Sequence, residues 1–189
     1  MPTTIDKVAA LSRACERLTG IPEQLTAAQA ILEAGWNLES APGNNCFGIK
    51  AGKGIGSGEQ VLRTKEWFDP AQLRYFFAGR SGRTAQPMTP LQVDSHGRTL
   101  YRVTDYFAVF PTLEACFEYR AKLLLQSPYY RDATVKFKAI EHPTPADVDA
   151  YIDAISKHYS TIEPEEYAES IKKIAFGPAL TRAFARLAA

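Results

Sequence analysis

Apolar positions recur at a helical step near the start of the chain and again after residue 112, while between these stretches the period drops to two. Val8, Leu11, Ala14, Cys15 and Leu18 predict a helix over residues 5–18, with Gly20 available as its left-handed terminator. Pro22 suits the first turn of a second helix, on which Ala28, Leu32 and Trp36 follow Leu25 along one face. Gln29 and Glu33 stack along that face's edge.

The texture changes between residues 47 and 110. Gly52, Gly54, Gly56 and Gly58 loosen the chain, after which residues 60–68 read as a strand with Leu62, Thr64, Glu66 and Phe68 on one face. The turn-like Asp94-Ser95-His96-Gly97 introduces a second strand over residues 98–110. Residues 70–93 show no clear period and are expected to form a loop, with a short helix over 70–77.

Helical spacing then returns. Thr112 caps a segment with Leu113, Cys116, Phe117, Leu123 and Leu124 inward. Thr144-Pro145, with Asp147 behind them, starts another whose apolar face is Val148, Tyr151, Ile152, Ile155 and Tyr159. Pro164 opens a third carrying Tyr167, Ile171 and Ile174, and Gly177-Pro178 breaks it before a final short helix to Leu187. The expected fold class is α+β, mainly α: one domain over residues 1–189 with a β-hairpin lobe at about 47–110.

Composition narrows the function classes. Basic and acidic side chains number 22 and 21, a formal net charge of +1, so there is no general field for nucleic acid. Cys15, Cys46 and Cys116 lack a CxxC spacing or a nearby histidine and are read as buried thiols. His96, His142 and His158 are scattered, so neither a metal nor another cofactor is expected. Residues 1–10 lack a signal-peptide run, and no apolar stretch is long enough to cross a bilayer, so a soluble monomer away from the membrane is expected.

Glu33 is the residue with a chemical use. A carboxyl at the rim of a hydrophobic surface holds its proton more tightly, and such acids can protonate a leaving group at neutral pH. The alternative is a solvated edge residue of an amphipathic helix. The downstream residues weigh on the choice: after Glu39 to Gly43, the run Asn44-Asn45-Cys46-Phe47-Gly48-Ile49-Lys50 leads out of a turn into an apolar segment.

Together, Ala28-Gln29, Glu33, Ala34, Gly35-Trp36, Asn44-Asn45 and Phe47 to Lys50 resemble the opening motif of glycoside hydrolase family 73, the endo-β-N-acetylglucosaminidases of bacterial cell-wall turnover. The resemblance spans residues 21–174 and implies a lysozyme-like fold acting on peptidoglycan glycan strands, with Glu33 as the catalytic acid. It implies a site of action at the bacterial cell wall, which a chain with no signal of its own would reach by lysis, a phage or a secretion machine. Cleavage after N-acetylmuramic acid by a lysozyme or lytic transglycosylase of the same architecture, and a non-catalytic glycan-binding or assembly module, are the rival readings.

Other site residues follow from the same resemblance. Glu66, in Thr64-Lys65-Glu66-Trp67, is similar to the family's second acid; a surface glutamate paired with Lys65 or Arg63 is the alternative, and Asp105 the competing candidate. His158-Tyr159-Ser160-Thr161, followed by Tyr167-Ala168, resembles a segment whose first tyrosine reaches the acid, so Tyr159 is assigned that role and Tyr167 mostly packing. Asn45, Phe47, Gly48, Trp67 and Phe68 are expected to bind sugar, Phe47 and Gly48 as a cleft floor and Asn45 by hydrogen bonding. Trp36 is a further stacking candidate otherwise assigned to the core, and Tyr129-Tyr130 resembles a structural segment at a helix end. Residues 70–97 exceed the family's usual turn; with Arg74, Arg80, Arg83, Tyr75, Phe76 and Phe77 they form either a wall that binds anionic peptide stems or a surface excursion burying its own aromatics.

Overall fold

Small and apolar side chains set the packing of the second helix, and the rest of the helical body gathers around it. The computed structural model describes residues 4–159 and 163–188. In chain order the elements are α1 (Thr4–Thr19), α2 (Glu23–Ala34), β1 (Gly58–Phe68), α3 (Pro70–Gly79), β2 (Thr84–Pro87), β3 (Thr99–Val109), α4 (Leu113–Gln126), α5 (Arg131–Lys138), α6 (Pro145–Tyr159), α7 (Pro164–Ala175) and α8 (Pro178–Ala188). They fall into two compact units, Met1–Ile49 with Phe110–Ala189, and Lys50–Val109.

In the helical unit, α2 buries Leu25, Thr26, Ala27, Ala28, Gln29, Ala30 and Ile31, nearly its whole circumference. Three alanines let it lie close against α1 and α7. Ile21, Leu25, Leu124, Ile152, Ile155 and Ile171 are fully or almost fully buried and form the centre of the core. The first helix ends as its sequence predicts, with Gly20 at φ 73° and its amide bonded to the Glu16 carbonyl. Its buried face is rotated from the expected one: Val8, Ala9, Ser12 and Cys15 point inward, while Leu18 is 75% exposed.

Helix α2 departs from expectation at its end. Gly35, at φ 79°, stops it one residue after Ala34, so Trp36 lies outside the helical stripe and is 52% exposed, and Leu32 is exposed as well. The core assignment of Trp36 is therefore corrected, because a side chain beyond the last helical turn no longer follows the period that would bury it. The later helices carry their expected starts: Thr112 Oγ1 accepts the Ala115 amide, and Asp147 accepts both the amide and hydroxyl of Thr144. Helix α5, whose sequence is polar, adds an element that hydrophobic period does not mark.

The second unit is an antiparallel sheet in the order β1-β3-β2. Strands β1 and β3 pair so that Glu66 faces Tyr101 and Leu62 faces Asp105 across the ladder. Leu62, Thr64 and Glu66 are half-buried while Val61, Arg63 and Lys65 are exposed, the predicted period of two. The short helix expected over residues 70–77 is present as α3, and the rest of the expected loop holds one further element, the strand β2. Asp69 and Gln72 form a reciprocal capping box that starts α3, and β2 adds to the free edge of β3.

Candidate active site

Glu33 stands one residue before the end of α2, in a last turn that carries no basic residue. The helix's unpaired carbonyls disfavour a further negative charge at that end. Glu33 is exposed, which corrects the expectation that partial burial would tune it: α2 leaves the packed body just where the carboxyl projects. Its Oε1 nevertheless accepts a hydrogen bond of 3.0 Å from the hydroxyl of Tyr167, a residue on α7 that is 4% exposed. Oε2 lies 3.8 Å from where a side chain at Gly48 would begin. Gly48 has φ +61°, a conformation that favours glycine, and the absence of a Cβ leaves room beside the acid.

Behind Glu33 a bonded chain runs into the core. Gln29 Nε2 donates to the Tyr167 oxygen at 3.2 Å, and the Gln29 carbonyl oxygen accepts from Arg120 Nη2. Arg120 on α4 is fully buried, donates from Nη1 to Thr26 Oγ1 at 3.0 Å, and lies 5.5 Å above the Phe47 ring. Tyr159, half-buried on α6, stacks on Tyr167 at 5.9 Å with 20° between the ring planes. For Tyr167, burial first and then the charge of Glu33 push the phenol pKa well up. For Tyr159 burial again comes first, and with the charge of Glu33 it outweighs the opposing pull of Arg120. Both phenols therefore stay protonated at any working pH.

The loop after α2 is held by its own side chains. Asn45 is buried, donates from Nδ2 to the Ile49 carbonyl at 2.8 Å and accepts the Ile49 amide at 2.9 Å. Phe47 is 3% exposed and meets Phe117 edge to face at 5.0 Å. Neither presents the face expected of a sugar-binding group: the loop turns both inward, where they fix the backbone that puts Gly48 next to Glu33. Cys46 and Cys116 lie side by side in the core as free thiols, their sulfurs 3.8 Å apart. Tyr130 bonds the His158 carbonyl and packs near Tyr159, in keeping with a structural role for its segment. Ser160 and Thr161 lie outside the described residues.

In the sheet unit, Lys50 Nζ joins two carboxylates, 3.0 Å from Glu66 Oε1 and 3.0 Å from Asp105 Oδ2. The cation belongs to Lys50, in place of the expected Lys65 or Arg63. Asp105 is 2% exposed and also accepts from Arg83 Nε at 2.6 Å and from the Tyr106 amide at 2.8 Å. Burial pulls the Asp105 carboxyl upward, but the Tyr106 amide, Lys50 and Arg83 together hold it below its ordinary value. Glu66 is the less enclosed of the two acids. Phe68 packs against Phe76 and Tyr101, and Trp67, half-buried, alternates onto the other face of β1. Arg83 is committed to Asp105 and the Phe76 carbonyl, and Arg80 to Glu59 and the Tyr106 ring. Only Arg74 of the three is exposed, while Phe76 is buried and Tyr75 and Phe77 are exposed.

The site thus brings Glu33, Gly48 and Tyr159 together around Tyr167, whose contact with the acid the sequence does not suggest. Arg120 is a second site residue absent from the sequence reading. Its signal is available: a charged residue among Cys116, Phe117, Ala121 and Leu124 at helical spacing must be either mispacked or bonded. Among the described residues no group of histidine, cysteine and acidic side chains could hold a metal ion.

The sequence matches the glucosaminidase family model, described as mannosyl-glycoprotein endo-beta-N-acetylglucosaminidase, over residues 9–176. No curated protein sequence matches it. Among solved structures, a peptidoglycan hydrolase mutant from Sphingomonas sp. A1 is 21% identical with a TM-score of 0.62, the alignment covering 97% of each chain. The catalytic domain of the autolysin Auto from Listeria monocytogenes is 20% identical with a TM-score of 0.57, covering 97% of this chain and 89% of that one. A truncated glycoside hydrolase domain of FlgJ from Salmonella typhimurium is 19% identical with a TM-score of 0.56, covering 91% and 93%. At such identity these likenesses establish a shared fold, the lysozyme-like one.

Proposed function

Because the chain belongs to the glucosaminidase family of glycoside hydrolases, we propose that it cuts peptidoglycan at the β-1,4 bond after N-acetylglucosamine, with Glu33 as general acid. The observation that carries this reading is an exposed carboxyl tethered through one oxygen by a buried phenol, with its other oxygen beside the open backbone of Gly48. A proton delivered from Glu33 to the glycosidic oxygen lets the bond to the anomeric carbon break through an oxocarbenium-like transition state. Water completes the hydrolysis, with Glu66 as the proposed second carboxylate. Tyr159 and Gly48 keep their proposed place beside the substrate; Asn45 and Phe47, turned inward, act only by shaping the loop, and of Trp67 and Phe68, which alternate onto opposite faces of β1, Phe68 shares the face of Glu66 and keeps the proposed sugar-binding role. The fold shared with a peptidoglycan hydrolase and an autolysin supports the choice of polymer, and with it action at the bacterial cell wall.

Purified peptidoglycan digested with the wild type and with Glu33→Gln tests both parts. Loss of the acid lowers turnover on the order of 10²-fold or more with the circular dichroism spectrum unchanged. Release of reducing ends by the variant at the wild-type rate would overturn the acid assignment. Mass spectrometry of the wild-type digest fixes the bond: reducing-end N-acetylglucosamine agrees with the proposal, and reducing-end or anhydro muramic acid contradicts it.

A further inference from the structure

Arg120 has donors and no acceptor, so the side-chain oxygen of Gln29 must be the atom that faces it. That fixes the amide, and its Nε2 is left pointing at Tyr167, where it can only donate. The Tyr167 oxygen is then already an acceptor, and its own proton goes to the remaining neighbour, Glu33 Oε1. Each bond dictates the direction of the next. We propose that Arg120, Gln29 and Tyr167 are positioning residues forming a one-way relay that keeps Oε1 of Glu33 occupied as an acceptor and confines the transferable proton to Oε2, the oxygen beside Gly48.

Several features suit this role. Among the described residues no carboxylate pairs with Arg120, although its side chain is fully buried, and its Nε has no hydrogen-bond partner there. A buried charge so placed is costly unless its field is used or compensated, and the bonded chain from it ends on the charge of Glu33. Among the described residues, the charge of Glu33 acts on Tyr167 of α7 and Tyr159 of α6, and Arg120 of α4 acts on Tyr159 from behind them. The stacked Tyr159 ring keeps Tyr167 from swinging away. Low local dielectric strengthens each bond along the chain.

The relay rests on Glu33 being the acid, and the test separates the two ideas. Glutamate labelled with ¹³C at its carboxyl allows Glu33 to be titrated by NMR without any activity, with Glu33→Gln assigning its resonance. Tyr167→Phe deletes a single oxygen. Gln29→Glu preserves shape but presents Tyr167 with an acceptor, drawing the phenol proton away from Glu33. In both variants the Glu33 midpoint is expected to rise by about one pH unit, the size set by losing a hydrogen bond to a charged group. The alkaline limb of kcat/KM should rise with it, and kcat should fall about tenfold with KM little changed. Unchanged Glu33 titration in folded Tyr167→Phe overturns the relay, even if Glu33→Gln is inactive. If Gln29→Glu does not fold, the Tyr167→Phe titration decides alone. A shifted titration together with a fully active Glu33→Gln keeps the relay and refutes the acid assignment.

Discussion

Asp105 and Lys50 meet at 3.0 Å inside the sheet unit, one buried to 2% exposure and the other still reaching solvent. With Arg83 on its other oxygen, Asp105 is surrounded by compensating charge and is unlike an acid held ready for proton transfer.

Asp105→Asn should therefore act on stability, costing about 3 kcal/mol, because Arg83 and Lys50 keep their charges while losing the carboxylate they face. The carboxyl's folded pKa is depressed, so its contribution is fully present above the unfolded value of about 3.9 and is lost as pH falls through the lower folded value. Urea denaturation between neutral pH and about pH 3 checks this. The variant should show a smaller loss of stability over that acid range than the wild type, with little change in kcat at neutral pH.

Glu66→Gln should do the opposite. Its carboxylate pairs with the half-buried Lys50, so stability changes by no more than about 1 kcal/mol, whereas removing the proposed second carboxylate should lower turnover at least about tenfold. Full turnover in the variant would transfer that task to the substrate's own acetamido group.

Gly48→Ala introduces both backbone strain and a methyl group beside the acid. The residue is held at φ +61°, which costs an L-amino acid about 1–2 kcal/mol. The new methyl would sit 3.8 Å from Glu33 Oε2, the oxygen from which the proposed proton transfer starts. A lower melting temperature with a further fall in turnover of the folded enzyme is expected.

Thiol accessibility offers a simpler check. Cys15, Cys46 and Cys116 are all buried, and the hydrogen bond to Cys116 together with burial pushes the Cys46 thiol far above the ordinary range. The native protein should show no rapid reaction with a colorimetric disulfide reagent at neutral pH, and all three thiols should react in denaturant.

Much of this architecture is legible in the residues themselves. Gly20, Thr112, Thr144, Pro164 and Gly177 mark helix ends by local chemistry, and the alternation from Leu62 to Phe68 gives a strand without reference to anything distant. The short helix expected over residues 70–77 is present as α3, started by the capping box of Asp69 and Gln72. Two features are not legible: the polar helix α5, which hydrophobic period does not mark, and the second partner of β3, a short strand with little pattern of its own. In the site, Tyr159 and Tyr167 each close an apolar helix face, and periodicity cannot say which hydroxyl projects toward α2.

Family membership, most helix starts and stops, and the position of Glu33 before a glycine-bearing loop can be read from the residues alone, because each signal lies among residues close together in the chain. That Tyr167, 134 positions away, bonds the Glu33 carboxyl, and that Arg120 enters the core to orient the chain between them, emerges only when the helices dock. Hydrogen-bond direction depends on which donors and acceptors three separately formed helices bring within about 3 Å, and no local pattern encodes that docking.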